Sequence, residues 1–366
     1  MSRHNIVQEF DLVKASALAP RSIPTNEQIL SQVQALLAAP ADNLQSMLLK
    51  ELLVNVLRLK SANIDTLDLK ILNRAMKELR HAFKIFQGYR DRPKVSIFGS
   101  ARTQPQDPNY RLAADFSKRL VERGYMVITG GADGIMRAAQ EGAGREHSFG
   151  VNIMLPFEQG PNKVIADDPK LVTFKYFFTR KLMFVKESAA AALFPGGFGT
   201  HDEGFEVLTL VQTGKSQPQP ILCLQAPGCD YWSHWNDFIK EQLLSRGLIS
   251  PEDLSLFQIV DNAEAAVEEI DYFFRNYHSI RYVEPQMVIR MKYRLSDADL
   301  ASINDQFSDL LIDGQFVQQG PLPEEFDEPA ARDLPRLVFH SNRKSAGRLR
   351  QLIDRINATA PIPARS

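Results

Sequence analysis

Pro195-Gly196-Gly197-Phe198-Gly199-Thr200-His201-Asp202-Glu203 joins a glycine-rich turn to an acidic residue over a few positions. Ala189 to Phe194, just before it, form an apolar run of strand length, and Glu203 to Thr213 read as a helix that buries Phe205, Leu208 and Leu210. The glycines therefore lie between a strand and a helix. Without side chains they let a ligand reach the main-chain N–H groups. There the positive end of the helix dipole favours an anion, by roughly 0.3–1 kcal/mol per charge at an exposed site. Gly196, Gly197, Gly199 and Thr200 are thus candidates to hold a phosphate. Thr200 and Glu203 also match a capping box, with Thr200 as N-cap and Glu203 on the first turn.

The same arrangement recurs twice upstream. Tyr125 to Thr129 is a short apolar, β-branched run, Gly130-Gly131-Ala132-Asp133-Gly134 a turn, and Ile135 to Ala139 the start of a helix; Val95 to Phe98 lead into Gly99-Ser100-Ala101-Arg102. Strands near 94–98, 125–129, 149–154, 171–174, 190–194 and 219–224 alternate with helices near 109–123, 134–145, around Arg180 and over 203–213. A helix bearing Trp235, Phe238, Ile239 and Leu243 follows, and another spans Ala263 to Tyr272. That rhythm predicts an α/β fold, a doubly wound Rossmann-like parallel sheet with helices on both faces. Such sheets bind ligands in a crevice at their strand ends, where the three glycine turns would meet.

Taken together, these motifs resemble the "lonely guy" (LOG) family of cytokinin-activating proteins and their bacterial relatives, the nucleoside 5'-monophosphate nucleosidases, long misnamed lysine decarboxylases. Its pattern P-G-G-x-G-T-x-x-E is met at Pro195–Glu203, its G-G-x-x-G-x-M pattern at Gly130, Gly131, Gly134 and Met136, and its Arg-Lys pair at Arg180-Lys181. The resemblance covers roughly residues 90 to 275, and the flanking segments are similar to those of the longer bacterial members. It implies hydrolysis of the N-glycosidic bond of an AMP-like nucleoside 5'-monophosphate to free base and ribose 5-phosphate. Glu203 and Arg180 would be catalytic. Gly99, Ser100, Gly130, Gly131, Gly134, Met136, Lys181, Gly196, Gly197, Gly199 and Thr200 would bind the substrate and its phosphate. Glu203 would face the ribose, and Arg180 would contact either the phosphate or the leaving base. A homo-oligomer is implied as well, and no cofactor. Two departures bear on the preferred base: Ala132-Asp133 replaces the usual Gly-Pro, and Arg137 stands where many members carry glutamate. Leu155-Pro156-Phe157-Glu158-Gln159, with Asn162, reads either as a family segment near the site or as a plain loop, and His201 is not read as catalytic.

Composition bounds the rest. The chain has 366 residues, 44% hydrophobic and 24% charged, enough for a large core and more than one part. A net charge of -1 gives no global attraction to nucleic acid or an anionic membrane. The start lacks an apolar leader and no run approaches a membrane span, so a cytoplasmic protein is expected. Cys223 and Cys229, without metal-type spacing or companion histidines, read as buried reduced thiols rather than a disulfide or metal site.

Three regions follow: a helical N-terminal extension (1–90), the Rossmann-like catalytic domain (91–278) and a small α+β C-terminal segment (279–366). Residues 1–24 read as an irregular arm. Thr25 to Gln28 form a capping-box pattern before a helix, a second helix spans Leu44 to Leu59, and Leu69, Leu72, Met76, Leu79, Phe83 and Phe86 form one helical face for core or dimer packing. At the other end Met287–Met291 and Leu337–His340 read as strands and Asp297–Leu311 as a helix. Arg343, Lys344, Arg348, Arg350 and Arg355 form a basic helix that is either a solvated face or a site for a regulatory nucleotide. Three alternatives remain, of which a pyridoxal-dependent lysine decarboxylase would need a Schiff-base lysine and a partner for the pyridine nitrogen that no spacing marks. A non-catalytic nucleotide or cofactor carrier would keep the glycine loops without needing Arg180 and Glu203. A nicotinamide oxidoreductase would need G-x-G-x-x-G after the first strand, which Gly99-Ser100-Ala101-Arg102 does not supply.

Overall fold

In the computed structural model, which describes residues 28, 31, 33–36, 43–156, 160–325 and 328–361, the apolar runs become strands buried on both faces. β1 (Lys94–Phe98), β2 (Met126–Thr129), β5 (Ala190–Leu193) and β6 (Ile221–Leu224) have no exposed residue. With β3 (Ser148–Ile153), β4 (Leu171–Phe174) and β7 (Gln258–Val260) they form one parallel sheet in the order β4-β3-β2-β1-β5-β6-β7. The register sets Val95 beside Val127 and Ile97 beside Ala192. Alternation along each strand feeds two cores. Val95, Ile97 and Val127 pack under α3 (Pro108–Glu122), α4 (Ile135–Ala143) and α8 (Ala263–Phe273), through Phe116, Ile135 and Ile270. Phe98, Met126 and Ile128 face the opposite core, where α5 (Phe177–Glu187), α6 (Phe198–Gln212) and α7 (Tyr231–Phe238) bring Met183, Val207 and Trp232. This is the expected doubly wound sheet, and its order reverses between β1 and β5. The loops after those two strands flank the crevice that such a reversal opens.

The chain divides into two units, Met1–Met76 and Lys77–Ser366. In the first, α1 (Leu44–Ser61) is capped by Asn43, whose side chain accepts from Ser46 N at 2.9 Å, and none of its residues is buried. Helix α2 (Thr66–Gln87) carries the expected apolar stripe, but the structure buries only its far end. Leu69, Leu72, Met76 and Phe83 are exposed, while Ala82 and Phe86 join the sheet's core and Leu79 packs against it. The 1–24 arm and the Thr25–Gln28 capping pattern lie, but for Gln28, outside the described residues, as do Phe157, Glu158 and Gln159.

After the parallel sheet comes an antiparallel one, β10-β11-β9-β8, built from β8 (Tyr277–Val283), β9 (Gln286–Met291), β10 (Leu311–Gln319) and β11 (Arg336–Ser341). Helices α9 (Asp297–Gln306) and α10 (Ala346–Ala358) bring Ile303, Leu352 and Ile356 to Tyr277, Ile289 and Phe339. Two readings change here. The helix expected over Asp297–Leu311 stops at Gln306, Ser308–Leu310 form a 3-10 turn, and Leu311 opens β10. The basic run is not one helical face, and three of its arginines are paired within the fold. Arg343 and Lys344 precede α10, Arg348 bonds Asp309, Arg350 bonds Glu269 and Asp354, and Arg355 bonds Asp299. Buried within this part, Glu325 receives Arg290 at 2.8 Å and Arg336 at 3.2 Å. Both cysteines are free thiols, Cys223 in the core and Cys229 half-buried. Among the described residues no helix is long and apolar enough to cross a membrane.

Candidate active site

The three glycine turns are tied together by their backbones. Ser100 N donates to Pro195 O at 3.1 Å, and Ile135 N donates to Ser100 O at 3.0 Å, so the β1 loop bonds both the β5 loop and the start of α4. The approach is close enough to require glycine. At Gly134, whose φ is 66°, a Cβ would fall 2.2 Å from Ser100 O; at Gly196 it would fall 2.1 Å from Thr200 Oγ1 and 3.1 Å from Ser100 N. Gly99 packs on Ile135 in the same way, and Gly130 packs on Met136 and Arg180. Gly131 is held from below: Asn162 donates through Nδ2 to Gly131 O and Ala132 O, and Gly131 N donates to Thr129 Oγ1. Asn162 therefore braces the second turn, and Leu155 packs on the core.

The structure corrects the start of α6. The helix opens at Phe198 with Gly197 as N-cap and no side-chain cap, and Thr200 lies inside it with its N bonded to Gly197 O at 3.0 Å. Thr200 and Glu203 thus form no capping box, because the helix has already begun when the chain reaches them. What opens at the N-terminus is bare backbone. A Cβ at Gly197 or Gly199 would meet no atom within 4 Å, and Phe198 is 97% exposed. Thr200 N and His201 N bond Gly197 O, and an uncapped first turn of this kind can offer its remaining N–H groups to an anion.

Glu203, on the second turn, is only 5% exposed. Burial pushes its carboxyl above the usual range, against the opposing pull of Lys181 and Arg180. Lys181, expected at the substrate's phosphate, places its ammonium among three carboxylates: 3.0 Å from Asp202, 3.5 Å from Glu203, and bonded to Glu206. Burial works against that ammonium, but its bonds to Glu206 and Asp202 hold its pKa above the ordinary lysine value. Arg180, one residue earlier on α5, donates Nε to Val151 O at 3.0 Å, lies over the Phe184 ring, and sets Nη2 against Gly130. Glu78 from α2 fixes the start of α5 by accepting from Thr179 Oγ1 at 2.7 Å and Lys175 N at 2.8 Å.

Two residues not singled out from the sequence as site residues hold the β5 loop. Tyr231 donates to Gly196 O at 2.5 Å, so its oxygen is left to accept from His201 Nε2 at 2.7 Å. His201 is packed against Tyr231, Phe205 and Trp232, and burial lowers its pKa, so the ring is neutral at pH 7. Histidine, tyrosine and glycine carbonyl form one chain that fixes the carbonyl of Gly196. At the second turn, Arg137 bonds Glu141, which also accepts from Tyr110, and Asp133 is exposed.

The family model described as "Possible lysine decarboxylase" matches residues 132–270. A protein of Oryza sativa subsp. japonica named a probable cytokinin riboside 5'-monophosphate phosphoribohydrolase is 32% identical over 174 residues, 46% of this chain and 78% of the relative. A Mycobacterium tuberculosis protein named cytokinin riboside 5'-monophosphate phosphoribohydrolase is 26% identical over 162 residues, 43% of this chain and 82% of its own length. Among solved structures, the Moco carrier protein from Chlamydomonas reinhardtii aligns at 18% identity over 49% of this chain and 97% of its own, with a TM-score of 0.35. With the glycine turns, the arginine on α5 and the glutamate on α6 in the family's order, this chain belongs to the LOG family.

Proposed function

We propose that the protein hydrolyses the N-glycosidic bond of a nucleoside 5'-monophosphate to free base and ribose 5-phosphate. The observation that carries this reading is a carboxylate, Glu203, buried on the same helix whose bare N-terminus opens into the crevice. The 5'-phosphate binds at Gly197, Gly199 and the first turn of α6, and its binding energy positions the ribose. Glu203 then stands at C1'. It takes a proton from water as the oxygen adds to C1' and the C1'–N bond breaks, and that proton passes to the departing base. Its charge also stabilises the ribosyl cation, as carboxylates do in other glycoside hydrolyses. A buried carboxyl with a raised pKa suits the proton transfer, since it takes up and releases a proton closer to neutral pH, while the nearby Lys181 and Arg180 favour the charge that faces the cation. Arg180, beside Gly130, supplies fixed positive charge to the substrate's anionic end. Lys181 acts on Glu203 by keeping it ionised between Asp202 and Glu206.

The relatives' names support the reaction class, and the base is left to experiment. Incubation with AMP, GMP, IMP, CMP, UMP and N6-modified AMP is expected to release base and ribose 5-phosphate from at least one. Binding of every monophosphate with cleavage of none would make the protein a carrier instead.

A further inference from the structure

Glu78 is a buried carboxylate that takes no part in the chemistry above. It sits on α2 just past Met76, where that helix belongs with the sheet, and it lies ahead of the residues that carry the family's motifs. Only 5% of it is exposed. Burying a carboxylate is costly unless its oxygens are bonded, and both are. Oε1 accepts from Lys175 N at 2.8 Å, and Oε2 accepts from Thr179 Oγ1 at 2.7 Å. These donors flank the start of α5, whose N-cap Tyr176 makes no side-chain cap. Glu78 thus ties down that helix end from outside, and the residue after Thr179 is Arg180.

The same helix reaches the other support of Arg180. The guanidinium donates Nε to Val151 O on β3 and sets Nη2 against Gly130. Phe149, on the same face of β3 as Val151, stacks on Phe86 of α2 with ring centroids 4.4 Å apart, and Tyr89, just past α2, meets it edge to face at 5.1 Å. Near the other end of α5, the Lys186 ammonium lies over the Phe83 ring at 5.1 Å. Helix α2 therefore braces both the strand that takes Arg180 Nε and the helix that carries Arg180.

We propose that Glu78 is a positioning residue for Arg180: its two hydrogen bonds fix the height and rotation of α5, and so place the guanidinium between Val151 O and Gly130. The arginine fork is rigid and planar, so it serves an anion only where it is aimed. A misplacement of about 1 Å in such a site costs up to about 100-fold. Position 78 has to supply an acceptor for Lys175 N and a partner for the Thr179 hydroxyl, rather than a charge as such. Glutamine meets both needs, because its oxygen accepts from Lys175 N while its NH2 donates to Thr179 Oγ1, whose own hydrogen turns to Tyr176 O at 2.9 Å. Methionine, of similar length, meets neither. The kinetic consequence rests on the role proposed above for Arg180; the placement does not.

The Arg180 Nε–H resonance of the full chain, assigned by its absence in Arg180→Lys, reads the placement without any need for activity. It is expected to exchange slowly in the parent and in Glu78→Gln, and to be broadened or lost in Glu78→Met and in Thr179→Val, which removes the same bond from the α5 side. Steady-state kinetics on the best-cleaved monophosphate reads the consequence. Glu78→Met is expected to raise KM about tenfold or more, the loss of one charge-assisted hydrogen bond, with a smaller change in kcat, and Glu78→Gln to recover most of that loss. On top of Arg180→Ala, Glu78→Met is expected to add less than about twofold, since a residue that acts through another has nothing further to lose. A cooperative melt shows that each variant is folded, and Thr179→Val carries the same comparisons should Glu78→Met unfold. An unchanged Arg180 Nε–H in the folded variants overturns the proposal, and so do effects at positions 78 and 180 that simply multiply. If the resonance responds as stated but the parent cleaves no monophosphate, the proposed reaction fails and the positioning stands.

Discussion

Gly199→Ala separates the two things a glycine can do in this loop, because stability and substrate affinity are expected to move in opposite directions. Gly199 is the second residue of α6, and a Cβ built on it meets nothing within 4 Å. In the free protein the methyl group costs no contact, and alanine's better helix propensity contributes about 0.5–1 kcal/mol of stability. In the complex the same methyl occupies the opening through which a phosphate reaches the first-turn N–H groups. Loss of one hydrogen bond to a charged group costs about 1.5–3 kcal/mol, which at 1.4 kcal/mol per decade is a rise in substrate KM of about 10- to 150-fold. Urea unfolding followed by the fluorescence of Trp232 and Trp235 reads the first effect, and steady-state kinetics on the best-cleaved monophosphate reads the second. Gly196→Ala is the contrasting variant. Its Cβ would lie 2.1 Å from Thr200 Oγ1 and 3.1 Å from Ser100 N, so it should lose stability and activity together. An unchanged KM in a stabilised Gly199→Ala protein would show that the phosphate is not held at this helix end, and the proposed chemistry would lose its anchor.

Glu203→Gln is expected to cut turnover by orders of magnitude while phosphate binding persists. Because burial raises the pKa of Glu203, the folded state binds its proton more tightly than the unfolded chain; that stabilisation is present in acid and is lost as pH rises through the folded value. The variant should therefore melt above the parent at neutral pH and lose that advantage in acid, and equal melting at both pH values would contradict the burial argument. Tyr231→Phe removes the donor to Gly196 O and the acceptor of His201 Nε2, so it should cost about 1–3 kcal/mol and raise KM more than it lowers kcat. Glu325→Ala leaves Arg290 and Arg336 buried without their shared carboxylate and should destabilise the chain by about 3–5 kcal/mol. Chemical denaturation would measure that loss, and a change below 1 kcal/mol would mean that water takes the carboxylate's place.

What the sequence made legible follows from how locally each feature is encoded. Val95–Phe98, Met126–Thr129 and Ala190–Leu193 are largely apolar runs leading into glycine turns, the mark of strands buried on both faces, and they could be read directly. The placement of β5 beside β1 had no such local signal, because a crossover sets it. β8 and β10 escaped notice because Tyr277–Val283 and Leu311–Gln319 mix polar and apolar residues, and β10 turns through Gly314 at φ 72°. The arginines of α10 looked solvated for a related reason. Their partners Glu269, Asp299 and Asp309 lie far away in the chain and meet them only once it has folded. Tyr231 acts on Gly196 from beyond β6, again with nothing nearby in sequence to announce it.

The start of α6 shows how a small error in a boundary changes the chemistry. Read as a capping box, Glu203 would sit on the first turn, near the positive end of the dipole and in contact with water, where a carboxyl is held ionised and its pKa falls. Moving the helix start to Phe198 places the same residue a turn deeper, buried beside Lys181, where desolvation raises the pKa instead. The two positions suit different work, since a capping carboxylate satisfies backbone donors whereas a buried one can exchange a proton with bound water. The shift also frees the first turn of side-chain caps. Its N–H groups are then left for a ligand, so the phosphate anchor and the buried carboxylate follow from a single change in where the helix begins.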